Sequence, residues 1–330
     1  MIDVSIIFVN YKTEDYLFEC LKSIQQFTNG LTYELIVVDN SYVPGTNKQI
    51  LESFPEIHWL NAGGNVGFSK ANNLGAKQAR GNFLLFLNTD TLLFNNAILN
   101  AHQHLMERDD VAAIGGLQLN LEKESIPFYY SLNDLRKDFY FIPNHDLFKK
   151  MLLALFPNEN FQPGETNNLV GAFIMVSKEK FEKVGAWDEQ FFMYAEDAEL
   201  SFRLNKIGKL MYSDEVKFIH LVKGNEFTRA NDSWANRFSV QIQLSNFLWI
   251  RKSYGAIPLL LIYFNYLIFI PIFWVWKMFK NTKEGKRLLG DTFNQRMLTR
   301  KVGILFSYLP QLLFLTSKQY KIKPEENIGK

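Results

Sequence analysis

Cysteine is almost missing from this chain: Cys20 stands alone among 330 residues. An intrachain disulfide and a cysteine-built metal cluster are therefore excluded, which suits a reducing compartment. The N-terminal run is not expected to be a secretory leader either. Met1-Ile2-Asp3 runs straight into Val4-Ser5-Ile6-Ile7-Phe8-Val9 with no basic n-region and no small-residue cleavage site. Residues 4–9 accordingly read as a buried strand, and the body is expected in the cytoplasm. No internal repeat and no low-complexity tract is visible. The length then suits one large α/β domain with an appendage.

What is abundant is phenylalanine, used 30 times and concentrated in the middle and the C-terminal third, so something besides a soluble core wants aromatic surface. The formal net charge of +2 conceals an asymmetry. Residues 249–330 carry 14 Lys and Arg against 4 Asp and Glu, leaving 22 against 30 in the rest. A basic, aromatic tail could meet nucleic acid or an anionic membrane; the apolar run inside it favours the membrane and argues against nucleic acid. That run, residues 257–276, is 20 residues long with no charge and one amide, Asn265. It is about long enough to cross a hydrocarbon core of roughly 30 Å. A second apolar patch covers 302–316. Arg251 and Lys252 precede the first run, and Lys277, Lys280, Lys283, Lys286 and Arg287 follow it, so loop charge sets no single-pass orientation. A re-entrant hairpin or an in-plane segment fits that symmetry better. A buried helix in a homo-oligomer interface is the alternative.

Apolar runs of strand length alternate with helical patterns from the start. Strands are expected at 4–9, 34–39, 57–61 and 83–87, with helices over 13–27, 46–53 and 69–80. This is half of an open α/β sheet with right-handed parallel crossovers. A helix over 96–107 and a strand at 112–115 follow, after which the pattern dissolves between 119 and 169. That stretch, rich in Phe, Tyr, Asn and Pro, reads as a functional insertion. Its Phe128, Tyr129, Tyr130, Phe139, Tyr140 and Phe141 suit packing on a glycan or lipid, or on one another. Regularity returns with a strand at 169–176, helices over 178–184 and 198–207, and a strand at 210–219 leading to His220. The expected division is 1–245 as one α/β body (1–118 nucleotide-binding half, 119–168 insertion, 169–245 acceptor half) and 246–330 as a basic, apolar helical region.

In open α/β sheets ligands bind beyond the carboxyl ends of the strands. Polar residues gather at those ends here: Asn10-Tyr11, Asp39-Asn40-Ser41, the loop 61–67, and Asn88-Thr89-Asp90. Asp39 could accept a hydrogen bond from a uracil or thymine imide, or simply initiate a turn. Asn65-Val66-Gly67-Phe68-Ser69 opens a helix carrying Asn72, where backbone N–H groups favour a diphosphate; an ordinary cap by Ser69 is the plainer reading. Asp90 suits a hard divalent cation, Mg²⁺ or Mn²⁺, set against donor phosphates. Glu196 and Asp197 stand together at a helix start behind Phe191-Phe192-Met193-Tyr194, and that apolar wall would raise a carboxylate pKa and fit it to accept a proton. Acidic capping accounts for one of the two just as well. His220 is placed for phosphate or metal, and Trp187 with Asp188 could stack on and hydrogen-bond a sugar. Trp187 could equally be core.

Taken in order, Val37-Val38-Asp39-Asn40, Asn65-Val66-Gly67-Phe68 with Asn72-Asn73, Asn88-Thr89-Asp90, Gly171-Ala172-Phe173, Gly185-Ala186-Trp187-Asp188-Glu189 and Phe192-Met193-Tyr194-Ala195-Glu196-Asp197 resemble the family 2 glycosyltransferases, nearest their bacterial rhamnosyltransferase-like branch. The resemblance covers about residues 3–225. It implies a GT-A fold, an open mixed sheet with a Rossmann-like first half, and inverting transfer from a UDP- or dTDP-sugar. The acceptor would be a glycan or polyprenyl-linked glycan of a surface polysaccharide, met at the cytoplasmic face of the membrane. By position, Tyr11 and Asp39 would line the base pocket, beside Asn10. Asn65, Gly67 and Asn72 would take the ribose or sugar phosphate, Asp90 the metal, Asp197 the base role and Glu196 the orienting of hydroxyls. His220 resembles a late histidine that approaches the metal or diphosphate. One departure is Asn88, where many relatives have a first Asp, so metal affinity is expected to lean on the bound diphosphate. Two other readings stay open: a metal-dependent nucleotidyltransferase, for which Asn10-Tyr11-Lys12-Thr13 is a poor triphosphate loop, and an inactive nucleotide-sugar or glycan-binding module.

Overall fold

The computed structural model describes residues 2–41, 43–126, 131–142, 145–221 and 239–327. Phe128, Tyr129 and Tyr130 of the expected aromatic insertion lie outside the described residues. In chain order the elements are β1 (Val4–Asn10), α1 (Glu14–Phe27), β2 (Tyr33–Asp39), α2 (Lys48–Ser53), β3 (His58–Asn61), α3 (Phe68–Gln78), β4 (Phe83–Leu87), β5 (Thr91–Leu93), α4 (Ala97–Glu107) and β6 (Val111–Leu119). There follow α5 (Leu132–Lys137), α6 (Asp146–Leu155), β7 (Glu165–Thr166), β8 (Phe173–Ser177), α7 (Lys178–Lys183), α8 (Glu196–Leu204) and β9 (Lys209–His220). The C-terminal helices are α9 (Val240–Tyr254), α10 (Ala256–Lys283), α11 (Phe293–Ser307) and α12 (Leu309–Phe314). Contacts gather the chain into two compact units: Met1–Leu132 with Asn160–Phe192 and Glu196–Lys223, and Asn133–Glu159 with Met193–Ala195 and Gly224–Lys330.

In the first unit the described strands form one mixed sheet in the order β3-β2-β1-β4-β8-β6-β9-β5, with β7 beside β9. Strands β3, β2, β1 and β4 are parallel, whereas β8 runs antiparallel to both β4 and β6. A parallel strand covered on both faces is apolar almost throughout, and β1 meets that requirement. Ile6 and Phe8 enter one core with Leu17, Leu21 and Ile24 of α1, while Ile7 enters the other with Ile36, Leu84 and Phe86. A Cβ on Gly75 would come within 2.6 Å of Ile7 Cγ2, so α3 lies flush on that second face. Glycine is needed there to bring the helix, and the loop before it, down to the strand ends.

The expected strand at 169–176 begins only at Phe173, because Gly171 and Ala172 form a turn rather than pair with β4. The stretch 119–169 holds two helices, α5 and α6, in place of the irregular insertion expected.

The second unit is helical. Its α9 is capped by Ser239, whose Oγ accepts the Ile242 N–H, and ten of its fifteen residues are buried. Within this unit Gln241 is held through Nε2 by the Tyr320 carbonyl (3.1 Å) and through Oε1 by the Ile322 N–H (3.0 Å). Gln241 also donates to Ser245 Oγ (3.1 Å), which in turn donates to the Met193 carbonyl (2.7 Å). Next, α10 runs for 28 residues with Pro271 inside it, and is long and apolar enough to cross a membrane by length and composition.

Candidate active site

Parallel register places Asn10 of β1 opposite Asp39 of β2, and Asp39 opposite Asn61 of β3. Three polar strand ends thus stand level, at the position where ligands enter such sheets. Asn10 is fully buried; its Nδ2 donates to Glu14 Oε1 (3.1 Å) and its Oδ1 accepts the Thr13 hydroxyl (3.0 Å). It therefore orders the start of α1. Tyr11 beside it is 42 % exposed, leaving a ring available to a base. Asp39 Oδ1 accepts the Ser41 N–H (3.0 Å) and hydroxyl (2.7 Å), a turn that fixes the carboxylate at the rim of the sheet.

Asn40 was not singled out by the sequence reading, yet it ties this rim to the next loop. Its Nδ2 donates to Asn65 Oδ1 (3.2 Å) and its Oδ1 accepts the Val66 N–H (2.9 Å). Asn65 Oδ1 also accepts the Gly67 N–H (3.2 Å), and Gly67 has a φ of 90°, a left-handed value that glycine adopts without strain. The place of Asn40 in the polar run Asp39-Asn40-Ser41 at a strand end was the available signal. Asn72 is buried and its Nδ2 donates to the Phe68 carbonyl (3.2 Å). Its neighbour Asn73 binds Trp187 twice, Nδ2 to the carbonyl (2.8 Å) and Oδ1 from the N–H (3.1 Å).

Trp187 is open to two readings, sugar platform or core, and its burial favours the core. It is 1 % exposed and packed edge-on against Phe86 (5.1 Å) and Phe68 (5.9 Å), so its ring faces belong to the core. Asp188 accepts the Gln190 N–H at Oδ1 (3.0 Å) and shapes the turn leading to the acidic pair.

Asp90 and His220, 130 residues apart, are brought together. Antiparallel pairing of β5 with β9 sets Thr91 opposite His220, and Asp90 Oδ1 lies 3.1 Å from His220 Nε2. The Asp90 carbonyl also accepts the Leu221 N–H (2.8 Å); Val222, Lys223 and Gly224 lie outside the described residues. Among the described residues no group of three His, Cys, Asp or Glu side chains could hold a metal. One carboxylate and one imidazole could hold a cation that keeps its remaining positions for diphosphate oxygens and water, as Mg²⁺ commonly does.

Asp197 Oδ2 accepts the Gly171 N–H (3.0 Å) and Oδ1 the Ala198 N–H (2.8 Å). The carbonyl of Ala172, next along, accepts the Asn88 N–H (3.0 Å). The turn at Gly171-Ala172 thereby joins Asp197 to the strand end that carries Asn88 and Asp90. Gly171 is part of the site that reading by residue type could not weigh, since it contributes only its N–H. Glu196 is 7 % exposed, and burial, then the charge of Asp197, pushes its carboxyl up to about 8. Burial raises Asp197 as well, opposed by its two N–H donors. Glu196 Oε2 has no partner while Asp197 accepts two N–H donors, which favour its charged form, so of the two Asp197 is the better suited to carry charge and Glu196 to hold a proton.

Strand-end polar residues on a mixed sheet, facing an acidic pair at a helix start, define a GT-A-like glycosyltransferase. The chain belongs to Glycosyl transferase family 2, whose family model matches residues 5–185. It is 29 % identical over 211 residues to the low-salt glycan biosynthesis hexosyltransferase Agl10 of Haloferax volcanii, covering 62 % of each chain. It is 26 % identical over 230 residues to the rhamnosyltransferase WbbL of Escherichia coli, covering 66 % of this chain and 83 % of that one. The chain thus spans under two thirds of the archaeal relative. In fold it is similar to the mannosyltransferase PcManGT from Pyrobaculum calidifontis in complex with GDP-Man and Mn²⁺, with a TM-score of 0.54, 15 % identity, and coverage of 95 % of this chain and 88 % of that one.

Proposed function

We propose that this protein moves a hexose, rhamnose being the leading candidate, from a UDP- or dTDP-sugar to a hydroxyl of a glycan or lipid-linked glycan, with inversion. The observation that carries the reading is the Asp197 carboxylate, held by the Gly171 N–H and joined through Ala172 to the Asn88 and Asp90 strand end. In the reaction the acceptor oxygen bonds to the anomeric carbon as the bond from that carbon to the diphosphate breaks. Asp197 takes the acceptor proton, and the nucleoside diphosphate departs. Glu196, protonated, donates a hydrogen bond to a sugar hydroxyl. Tyr11 and Asp39 take the base; Asn65, Gly67 and Asn72 take the ribose and phosphates. Asp90 and His220 hold a divalent cation, which when bound supplies positive charge against the diphosphate. The names of the relatives support a hexosyl or rhamnosyl donor, and the Mn²⁺ in the mannosyltransferase complex supports the cation. A lipid-linked acceptor agrees with the apolar, basic C-terminal helices and with a place on the cytoplasmic face of the membrane.

A panel of nucleotide sugars, screened for thermal stabilisation with and without Mn²⁺ and then for transfer, tests the assignment. Asp197→Asn is expected to lower kcat about 10²- to 10⁴-fold while leaving donor affinity in place. Unchanged turnover in that variant would remove Asp197 from the base role.

A further inference from the structure

The buried and exposed residues of α10 separate cleanly into two faces. Leu259, Ile262, Tyr263 and Tyr266 are buried, each three or four residues from another of the set, and Lys277 and Asn281, eleven and fifteen residues beyond Tyr266, continue the same side of the helix. Asn265, four residues after Leu261 and three before Ile268, borders the other side and exchanges two hydrogen bonds with the Phe141 backbone (2.8 and 2.9 Å). The buried side is bonded into the second unit: Tyr263 donates to the Leu305 carbonyl (2.7 Å). Trp274 Nε1 donates to Thr299 Oγ1 (2.9 Å), and Lys277 Nζ meets Asp291 Oδ2 (2.9 Å). The opposite side carries Leu261, Phe264, Ile268, Ile272, Val275 and Phe279, between 42 % and 70 % exposed. From Leu261 to Phe279 that apolar face extends roughly 27 Å at 1.5 Å per residue. A single stripe of this size on a soluble surface marks an interaction site.

Three features choose among occupants. The exposed side carries no charge until Lys280, and beyond it Lys280, Lys283, Lys286 and Arg287 are exposed. Against these stand Glu284, paired with Lys286 (2.7 Å), and Asp291, paired with the buried Lys277 (2.9 Å), so the end of the stripe is net basic. Trp276, 57 % exposed, lies under the Lys280 ammonium at 5.5 Å, an aromatic and a cation at the boundary between apolar and charged surface as in membrane-interface belts. In the same unit, α6 exposes Leu147, Met151 and Leu155 at i, i+4 and i+8, interleaved with Lys149 and Lys150. A bilayer with anionic headgroups matches this combination of apolar stripe and basic margin.

We infer that α10 lies in the plane of an anionic lipid surface, its Leu261–Phe279 face sunk to the acyl boundary, and does not span the bilayer. Crossing would carry α11 into hydrocarbon with it, since α11 packs along α10, and α11 bears Arg296, Arg300 and the buried Lys301. Cations at that depth are heavily disfavoured. The inference deepens the membrane placement proposed above, and vesicle binding is measured apart from donor turnover, so each can fail alone.

The test uses the full chain with sealed phosphatidylcholine vesicles, with and without phosphatidylglycerol, added from outside. Flotation is expected with the anionic vesicles, and Ile268→Glu with Val275→Glu should weaken it by about tenfold or more while hydrolysis of the nucleotide sugar is kept. Cys20 is buried, so a single cysteine introduced as Lys252→Cys or Lys283→Cys gives one reporter at each end of α10. Both should react with a membrane-impermeant thiol reagent on bound vesicles. Protection of either end would establish a span and overturn the inference. So would undiminished flotation of the double variant, or a failure to float accompanied by a dimer that the same substitutions dissociate.

Discussion

Glu196 is the residue whose burial is hardest to account for by packing. A carboxyl with an unpartnered oxygen, raised from 4.5 to about 8, is favoured in the fold only while protonated. Folding takes up its proton more tightly than the unfolded chain does, so its contribution is full below pH 4.5 and is lost as pH rises through about 8. Glu196→Gln, which keeps shape and donor but cannot ionise, should therefore raise Tm at pH 8 by a few degrees relative to wild type, with little change at pH 4.5, a shift of about 2–4 °C for each kcal/mol in chains of roughly this size. The same variant should lose an alkaline inflection in kcat near pH 8, where ionisation of Glu196 would set a second charge against the base. Calorimetry and a pH–rate profile read the two effects separately. A Glu196→Gln profile identical to wild type would show that the proton of the pair rests elsewhere.

At the scale of elements, what could be read in advance follows from where the information lies. Residues 83–87 were expected as a strand and are one: Phe83–Leu87 is buried throughout, and a continuous apolar run between turns is a local signal. Thr91–Leu93 was not expected, because three residues carry no period and exist as a strand only through pairing with β9. That pairing is also what sets His220 beside Asp90, so the two expected ligands were legible as residue types but not the element that joins them. Buried along most of its length, α9 shows little amphipathic pattern, and so its start at Val240 escaped a reading that expected helix only from 246. The two readings of Trp187 stayed open for the same reason, since an aromatic residue next to an acidic motif carries no mark of which way its ring faces. If β5 and β9 present a cation through Asp90 and His220, His220→Ala should reduce donor affinity about tenfold with Mn²⁺ and little without it, by calorimetric titration. Loss of affinity equal under both conditions would assign His220 to the diphosphate alone.

A second element-scale consequence concerns the approach to α8. Tyr194 and Ala195 have φ values of 72° and 60°, consecutive left-handed positions in residues that rarely adopt them. Such backbone persists only where surrounding bonds hold it. The Met193 carbonyl is held by Ser245 Oγ, itself braced by Gln241. Ser245→Ala should relax the segment entering Glu196 and lower kcat by roughly tenfold with donor Kd unchanged, the magnitude of a small misplacement at a reacting group. A purely structural role would instead lower Tm and leave kcat of the folded fraction intact.

For the whole molecule, charge is distributed unevenly along the chain. Residues 249–330 carry 14 basic against 4 acidic side chains, and the remainder 22 against 30. On net charge, an anionic lipid surface would draw the helical tail and disfavour the acidic remainder. Long-range attraction of this kind depends on salt, since the screening length is about 10 Å at 0.1 M and about 3 Å at 1 M. Raising NaCl between those concentrations should weaken vesicle binding on the order of tenfold to a hundredfold, given several exposed cations near the surface. It should not abolish binding, because the apolar face of α10 carries no charge for salt to screen. Self-association through that same face would respond in the opposite sense, since salts that strengthen apolar burial favour it. The direction of the salt effect, read by flotation and by sedimentation on one preparation, therefore separates a lipid surface from a second copy of the chain as the partner of α10.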